Sequence, residues 1–446
     1  MGNITDDIRG RFDTFSDRTF NETDSLALAQ LAYARMPDNV PRWQDGEREA
    51  GAGKGIPMVS IRDLLRAECY DAMFGKVWSP QMNVDLLRAM CESPRWRQAR
   101  VGGYVDEFDP ATTKQFSACV FEVPCGEDAG RRGGDTGGDS DGGQFSGRNA
   151  ALASTANGTC ANARVGDGVV GGSDDGAAGS DEHAGIHNGD QRGGSGRALY
   201  VAFRGTDSSI VGWKEDFAMA FRRPVASQEA AARYLSDVAF RWNGPIMVGG
   251  HSKGGNLAVY AAARVPAAVQ DRIVAVYSHD GPGFDETFFL TDGYRRIAPK
   301  VHKSVPETSI IGMLFESRDQ AADGYTIAHA TGIGIMQHFA LNWQVADGRF
   351  VLAEGLTSGA QYAARTLNDW MARYDDEHRS RFIENLFAVL EAGGYCTFGE
   401  LTAHWTQSMP AMLAAVRGID TEDRDVMIEV LKGFAATAAT AMIPSR

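Results

Sequence analysis

The five residues Gly250-His251-Ser252-Lys253-Gly254 hold a serine between two glycines in the spacing G-x-S-x-G. A strand-like run, "PIMVGG", precedes them and a helical pattern from Asn256 follows. At such a strand-to-helix turn a serine presents its hydroxyl as a nucleophile. Glycines stand two positions to either side because side chains there would meet the neighbouring strand and helix. The N-terminus of the helix behind Ser252, with the Lys253 N–H, offers donors to an oxygen that becomes negative beside the serine. A glycine-rich turn or weak phosphate loop is the competing reading of the same letters. Strand and helix on the two flanks favour the nucleophile.

A serine nucleophile needs a general base, and the base a carboxylate to orient it. Of the nine histidines, His183 and His187 fall in a glycine-rich stretch, His378 and His404 in a helical tail, and His251 beside the serine, where a side chain points away. His279, His302, His329 and His338 remain. The order serine, acid, histidine, with the histidine on a loop after the last strands, favours His338 in "GIGIMQHFALNWQV", ahead of His329. Two positions compete for the acid. Asp280, in "RIVAVYSHDGPGF", follows the strand after the elbow helix. Glu316, with Asp319, follows the next strand-like run, "SIIGMLF". Asp280 is preferred and Glu316 is the reserve; for either, a turn-stabilising carboxylate is the alternative.

The stretch "YVAFRGTDSSIVGWKEDFAMAF", Tyr200 to Phe221, resembles the class 3 (fungal-type) lipases. The resemblance implies that Thr206, after Arg-Gly, supplies oxyanion donors through its N–H and hydroxyl, and that the following segment forms a lid; Ser208 to Phe221 reads equally as a packed helix. Arg204 and Asp216 then read as a structural ion pair, and Trp213, Phe217 and Phe221 as core. The ordered motifs "GWKEDF", "GHSKGGNLA", "DGPGF" and "SIIGMLFE", and a Gln-His element before a tryptophan, are similar to an uncharacterised bacterial branch of lipase-like hydrolases. Two departures stand out. Lys253 replaces the apolar residue that usually follows the serine, either favouring anionic substrates or simply solvated. Fungal-type lipases also put their acid at the later position, that of Glu316. The resemblance implies a serine hydrolase of the esterase/lipase class, forming an acyl-enzyme on a small-molecule or lipid ester and needing no metal or organic cofactor. The counter-reading is a hydrolase fold kept as a non-catalytic binding or scaffolding module.

The elements that must position these residues are legible in outline. Short β-branched runs alternate with helical segments from Arg197 to Leu352, which predicts an α/β fold with a mostly parallel central sheet flanked by helices; the resemblance implies that this fold is of the α/β-hydrolase type. "TDSLALAQLAYARM" and "SIRDLLRAECYDAMFG" predict helices with Ser or Thr caps in a lead-in packed on the core, residues 1–110. The core then spans 111–357, and a helical extension follows over 358–446. Residues 126–197 hold 21 of the 52 glycines and one aromatic, Phe145, and predict a disordered insertion between two strands, "QFSACVFEV" and "RALYVAF".

A formal charge of -14 disfavours nucleic acid as a partner. No apolar run approaches the roughly 18 residues of a membrane span, leaving at most transient contact with a lipid surface. Six scattered cysteines read as reduced thiols. The opening "MGNITDDIRGRF" lacks a secretory pattern, and Asp6 breaks a myristoylation motif, so a cytoplasmic protein is expected.

Overall fold

The computed structural model describes residues 2–43, 55–109, 114–124, 196–206, 214–216, 218–219, 224–315, 324–332, 334–395, 400–401, 404–421, 423–424 and 427–428. In chain order, helices α1 (Ile4–Gly10) and α2 (Glu22–Leu31) lead into strand β1 (Met58–Ser60), helix α3 (Pro80–Glu92) and strands β2 (Arg100–Asp109), β3 (Lys114–Pro124) and β4 (Arg197–Phe203). Helix α4 (Ala226–Arg241), β5 (Ile246–His251), α5 (Lys253–Arg264), β6 (Ile273–His279), β7 (Val301–Pro306) and β8 (Thr326–Ala328) follow. A hairpin, β9 (Val345–Ala346) and β10 (Arg349–Phe350), then precedes helices α6 (Ser358–Arg373), α7 (Asp376–Glu391) and α8 (Trp405–Val416).

Among the described residues the main sheet has eight strands, ordered as they occur in the chain. Pairing is antiparallel from β1 to β4 and parallel from β4 to β8. This is an α/β fold. Right-handed crossovers between parallel strands that never reverse direction across the sheet put every connecting helix on one face. The other face must be covered from elsewhere. Side-chain alternation along β4 shows both halves of that solution. Leu199, Val201 and Phe203 pack with α4 and α5, whereas Ala198, Tyr200 and Ala202 pack with Leu26, Leu28 and Leu31 of α2 and Leu86, Leu87 and Met90 of α3. Each such fully buried leucine contributes about 2 kcal/mol of transfer free energy, so the lead-in closes the second face with a core of its own.

Several local expectations are corrected. The lead-in, residues 1–110, is not helical throughout, since it supplies β1 and β2 to the main sheet. "SIRDLLRAECYDAMFG" is not one helix but two 3-10 turns and a short helix, Tyr70–Phe74. Its buried residues, Ile61, Leu64, Met73 and Phe74, are separated by a polar run and by an exposed Leu65, leaving no continuous apolar stripe. The α2 helix is capped by Asn21, two residues before the expected threonine. "SIIGMLF" is not a strand. It is a turn around the 3-10 segment Ile311–Met313, and the strand in this region is the more polar "VHKSVP" of β7. The Asp347-Gly348 turn joins β9 to β10 with both residues at positive φ, as a two-residue hairpin needs. β3 and β4 pair antiparallel up to Pro124 opposite Arg197. The expected insertion between them lies, but for its last two residues, outside the described residues. Helices α7 and α8 share a separate small core that includes Phe382, Leu386, Trp405 and Met412.

Candidate active site

Ser252 sits between the last residue of β5 and the first of α5, with φ 59° and ψ -132°, a conformation costly for a residue with a Cβ. The scaffold holds it there: its N–H donates to the His279 carbonyl at 2.8 Å. A Cβ on Gly254 would lie 2.1 Å from the Phe203 carbonyl oxygen, and one on Gly250 would lie 2.4 Å from the Gly254 carbonyl carbon. Both glycines let β4, β5 and α5 approach closely enough to form the turn. Ser252 is only 4% exposed.

His338 ends a 3-10 turn, Gly334–His338, that follows β8. Its Nε2 is 3.0 Å from Ser252 Oγ and its Nδ1 is 2.6 Å from Asp280 Oδ2. A carboxylate only accepts, so Nδ1 carries the proton and the Nε2 lone pair faces the serine hydroxyl. Asp280 follows β6 with φ 49° and is wholly buried. Its N–H donates to the Ser304 carbonyl at 2.7 Å, while Oδ1 accepts from the Ser309 hydroxyl and from the Gly312 N–H at 3.1 Å. Three donors thus fix both oxygens. The turn that replaces the expected "SIIGMLF" strand is what supplies two of them. Glu316 and Asp319 lie outside the described residues.

The other histidines have different surroundings. His251 Nε2 is 2.7 Å from the His338 carbonyl oxygen, so it must donate, and Nδ1 accepts from the Tyr33 hydroxyl at 3.0 Å. Burial, and then the neighbouring His338 ring, push His251 down to about 3 and keep it neutral. His279 is buried between the Ser304 and Ser25 hydroxyls, 2.7 and 2.8 Å away, and burial lowers its pKa well below the usual value. His329 faces Glu307 at 3.0 Å, and His302 lies 3.8 Å from Glu22. Neither is within the Ser252 cluster.

On the oxyanion side the structure departs from three expectations. The Thr206 hydroxyl donates to Asp216 Oδ2, so it is not free to point at a developing charge, and the backbone N–H is left as that residue's candidate donor. Arg204 pairs with Asp106 at 3.0 Å and not with Asp216. Lys253 is not solvated: its side chain is 0% exposed, and Nζ lies 3.0 Å from both Glu215 Oε2 and the Gln115 carbonyl and 3.7 Å from Asp216 Oδ1. A neutralised, buried ammonium cannot attract an anionic substrate. Burial pushes Asp216 up to about 6, with Lys253 and Thr206 acting against the rise. Trp213 and Phe221 lie outside the described residues, as does most of the expected lid, Ser208 to Phe221.

Residues 90–136 and 194–388, more than half of the chain, match the model of the Mbeg1-like family. The chain belongs to the Mbeg1-like family. That family is related to the class 3 lipase-like proteins. No curated protein and no solved structure matches the chain. The Mbeg1-like match runs from the end of α3 into α7 and includes Thr206, Ser252, Asp280 and His338; α1 and α2, which cover the second sheet face, lie outside it.

Sequence reading passed over several residues that hold this Mbeg1-like site together: Ser309 and Gly312 on Asp280, His251 on the His338 carbonyl, and Glu215 on Lys253. Gly312 carried a usable signal. A glycine inside an apolar run marks a close backbone approach, and a Cβ at this one would fall 2.3 Å from Asp280 Oδ1. The others carried none, because their partners are remote in the chain. Among the described residues no group of His, Cys, Asp and Glu could hold a metal ion, and no helix is long and apolar enough to cross a membrane.

Proposed function

We propose that this chain is a serine hydrolase of the esterase/lipase type that cleaves carboxylic esters through an acyl-enzyme. The single observation carrying this reading is the buried line Ser252 Oγ, His338 and Asp280, with successive distances of 3.0 and 2.6 Å on a strained strand-to-helix turn. Family membership supports the same class of chemistry.

In the proposed cycle Ser252 Oγ attacks the ester carbonyl carbon while His338 Nε2 accepts the hydroxyl proton. Asp280 stabilises the resulting imidazolium through Nδ1–H. The Thr206 and Lys253 backbone N–H groups receive the oxyanion, each worth about 10² to 10³ in rate. Collapse of the tetrahedral intermediate breaks the C–O bond, and His338 gives its proton to the leaving alcohol. Water then attacks the acyl-Ser252 carbonyl, delivering its proton to Nε2. Loss of the carboxylic acid returns that proton to Ser252. His251, neutral and fixed at both nitrogens, places no competing charge beside the imidazolium.

The test is labelling with a fluorophosphonate, with hydrolysis of p-nitrophenyl esters of increasing chain length in parallel. Labelling of the wild type that disappears in Ser252→Ala, together with turnover lost in the same variant, is the expected result. An unlabelled wild type, or label retained by Ser252→Ala, overturns the reading.

A further inference from the structure

Lys253 stands where two local rules oppose it. A cation at the first position of a helix meets the positive end of the helix dipole, and an ammonium removed from water is costly unless fully paired. Yet its side chain is 0% exposed and that of Glu215 is 2% exposed. A buried ion pair is weak evidence of stabilisation in itself, so the reason for the charges is sought in what they connect.

Glu215 is a hub between elements distant in the chain. Oε2 accepts from the Gln115 N–H, at 2.9 Å, on β3, as well as from Lys253 Nζ on α5; Oε1 accepts from the Ser227 N–H on α4 at 3.2 Å. Lys253 Nζ also donates to the Gln115 carbonyl at 3.0 Å. The next residue, Asp216, accepts from the Thr206 hydroxyl just after β4, and its second oxygen is 3.7 Å from Lys253 Nζ. The two residues whose backbone N–H groups are the proposed oxyanion donors therefore have side chains linked through adjacent carboxylates: Thr206 to Asp216, and Lys253 to Asp216 and to Glu215, which is anchored on β3 and α4.

We infer that Lys253 and Glu215 are positioning residues that set the spacing of the Thr206 and Lys253 N–H donors relative to Ser252. This rests on the reading of Ser252 as a nucleophile. Without the ammonium, Glu215 and Asp216 face each other uncompensated, Asp216 turns from its present place, and Thr206 moves with it. Burial raises the proton affinity of Asp216, Lys253 and the Thr206 hydroxyl oppose the rise, and Glu215 adds a smaller push in the same direction as burial. A misplaced donor lowers transition-state binding more than substrate binding, so kcat falls while KM is nearly unchanged.

The experiment uses the full chain as wild type, Lys253→Met, Glu215→Gln and the double variant. Fluorophosphonate labelling rates, kcat and KM for p-nitrophenyl butyrate and melting temperatures are measured for each. Leu386→Ala, in the separate C-terminal core, serves as a destabilised control. Each single substitution is expected to lower kcat and the labelling rate about 10²-fold with KM within about threefold. The double variant should be no worse than the poorer single, as members of one unit behave. The double variant removes both charges of the pair together and leaves neither buried without its partner, so it decides alone if a single variant does not fold. Rates that fall only with the folded fraction, as in Leu386→Ala, or additive losses in the double variant, overturn the inference. A wild type that takes no label defeats the hydrolase reading instead.

Discussion

Gly312→Ala tests the acid arm of the proposed triad without touching any side chain in it. A Cβ at this position would lie 2.3 Å from Asp280 Oδ1, 2.8 Å from Val305 Cγ1 and 2.9 Å from Ser309 Oγ, against about 3.4 Å for the closest ordinary contact. Relief requires Asp280 Oδ1 or the turn to move by about 1 Å. The turn is not free to retreat: the Leu314 carbonyl is held by the Gly283 N–H at 2.8 Å and the Met313 carbonyl by Asn368 Nδ2 at 2.8 Å. Asp280 therefore takes most of the shift, and its 2.6 Å bond to His338 Nδ1 is lost or misdirected. A displacement of about 1 Å in a catalytic constellation costs on the order of 10² in rate, about 2.7 kcal/mol. Removal of the carboxylate's function sets the upper limit, about 10⁴. The overpacked turn should also cost about 1 to 3 kcal/mol of stability. The assay is kcat and KM on a p-nitrophenyl ester, with folded fraction measured by thermal melting. A folded Gly312→Ala protein whose kcat lies within about threefold of wild type refutes the assignment of Asp280 as the orienting acid.

Three further outcomes follow from the same geometry. His251 has its pKa lowered to about 3 in the folded protein, against about 6.5 unfolded, so the unfolded chain binds the extra proton between these values. Stability should fall as pH drops from about 6.5 toward 3, by up to about 5 kcal/mol, and His251→Gln should flatten that acid limb in urea titrations; an unchanged limb counts against a buried neutral ring. Asp216 shifts the other way, up to about 6, so the folded state holds the extra proton and stability declines as pH rises from about 4 to 6, by up to about 3 kcal/mol. Asp216→Asn should remove that decline, and a decline that persists in the variant refutes Asp216 as its source. Finally, Pro124 pairs directly with Arg197, so replacing residues 125–196 by Asn-Gly should leave a folded protein within about 1 kcal/mol of wild type, and loss of cooperative melting would show that the excised stretch contributes to the fold.

Much of the fold was legible because it is written in local pattern. β5 and α5 each announce themselves through an apolar run or a helical repeat, and the Asp-Gly hairpin through its turn residues. The misreadings share a cause. "VHKSVP" looks too polar for an interior parallel strand, but His302 packs beside Tyr277, and Ser304 bonds His279. "SIIGMLF" looks like a strand, yet its serine and glycine are used by Asp280. In both cases the partner that satisfies the polar group is more than 20 residues away, beyond the reach of any periodicity. The lead-in was legible only as helices. That it has to cover a sheet face follows from a strand order with no reversal, which appears only when the pairing is known.

By itself the sequence determined the strand-to-helix turn that carries Ser252, because turn glycines and the order of neighbouring elements are local properties. Tertiary structure decided the rest. Asp280 meets the imidazole across 58 positions of chain, and Lys253, which reads as a solvated first-turn cation, is buried because β3, α4 and the segment around Glu215 converge on it. A carboxylate beside a histidine, or a charge held out of water, depends on which surfaces close on one another, and one-dimensional spacing holds no record of that.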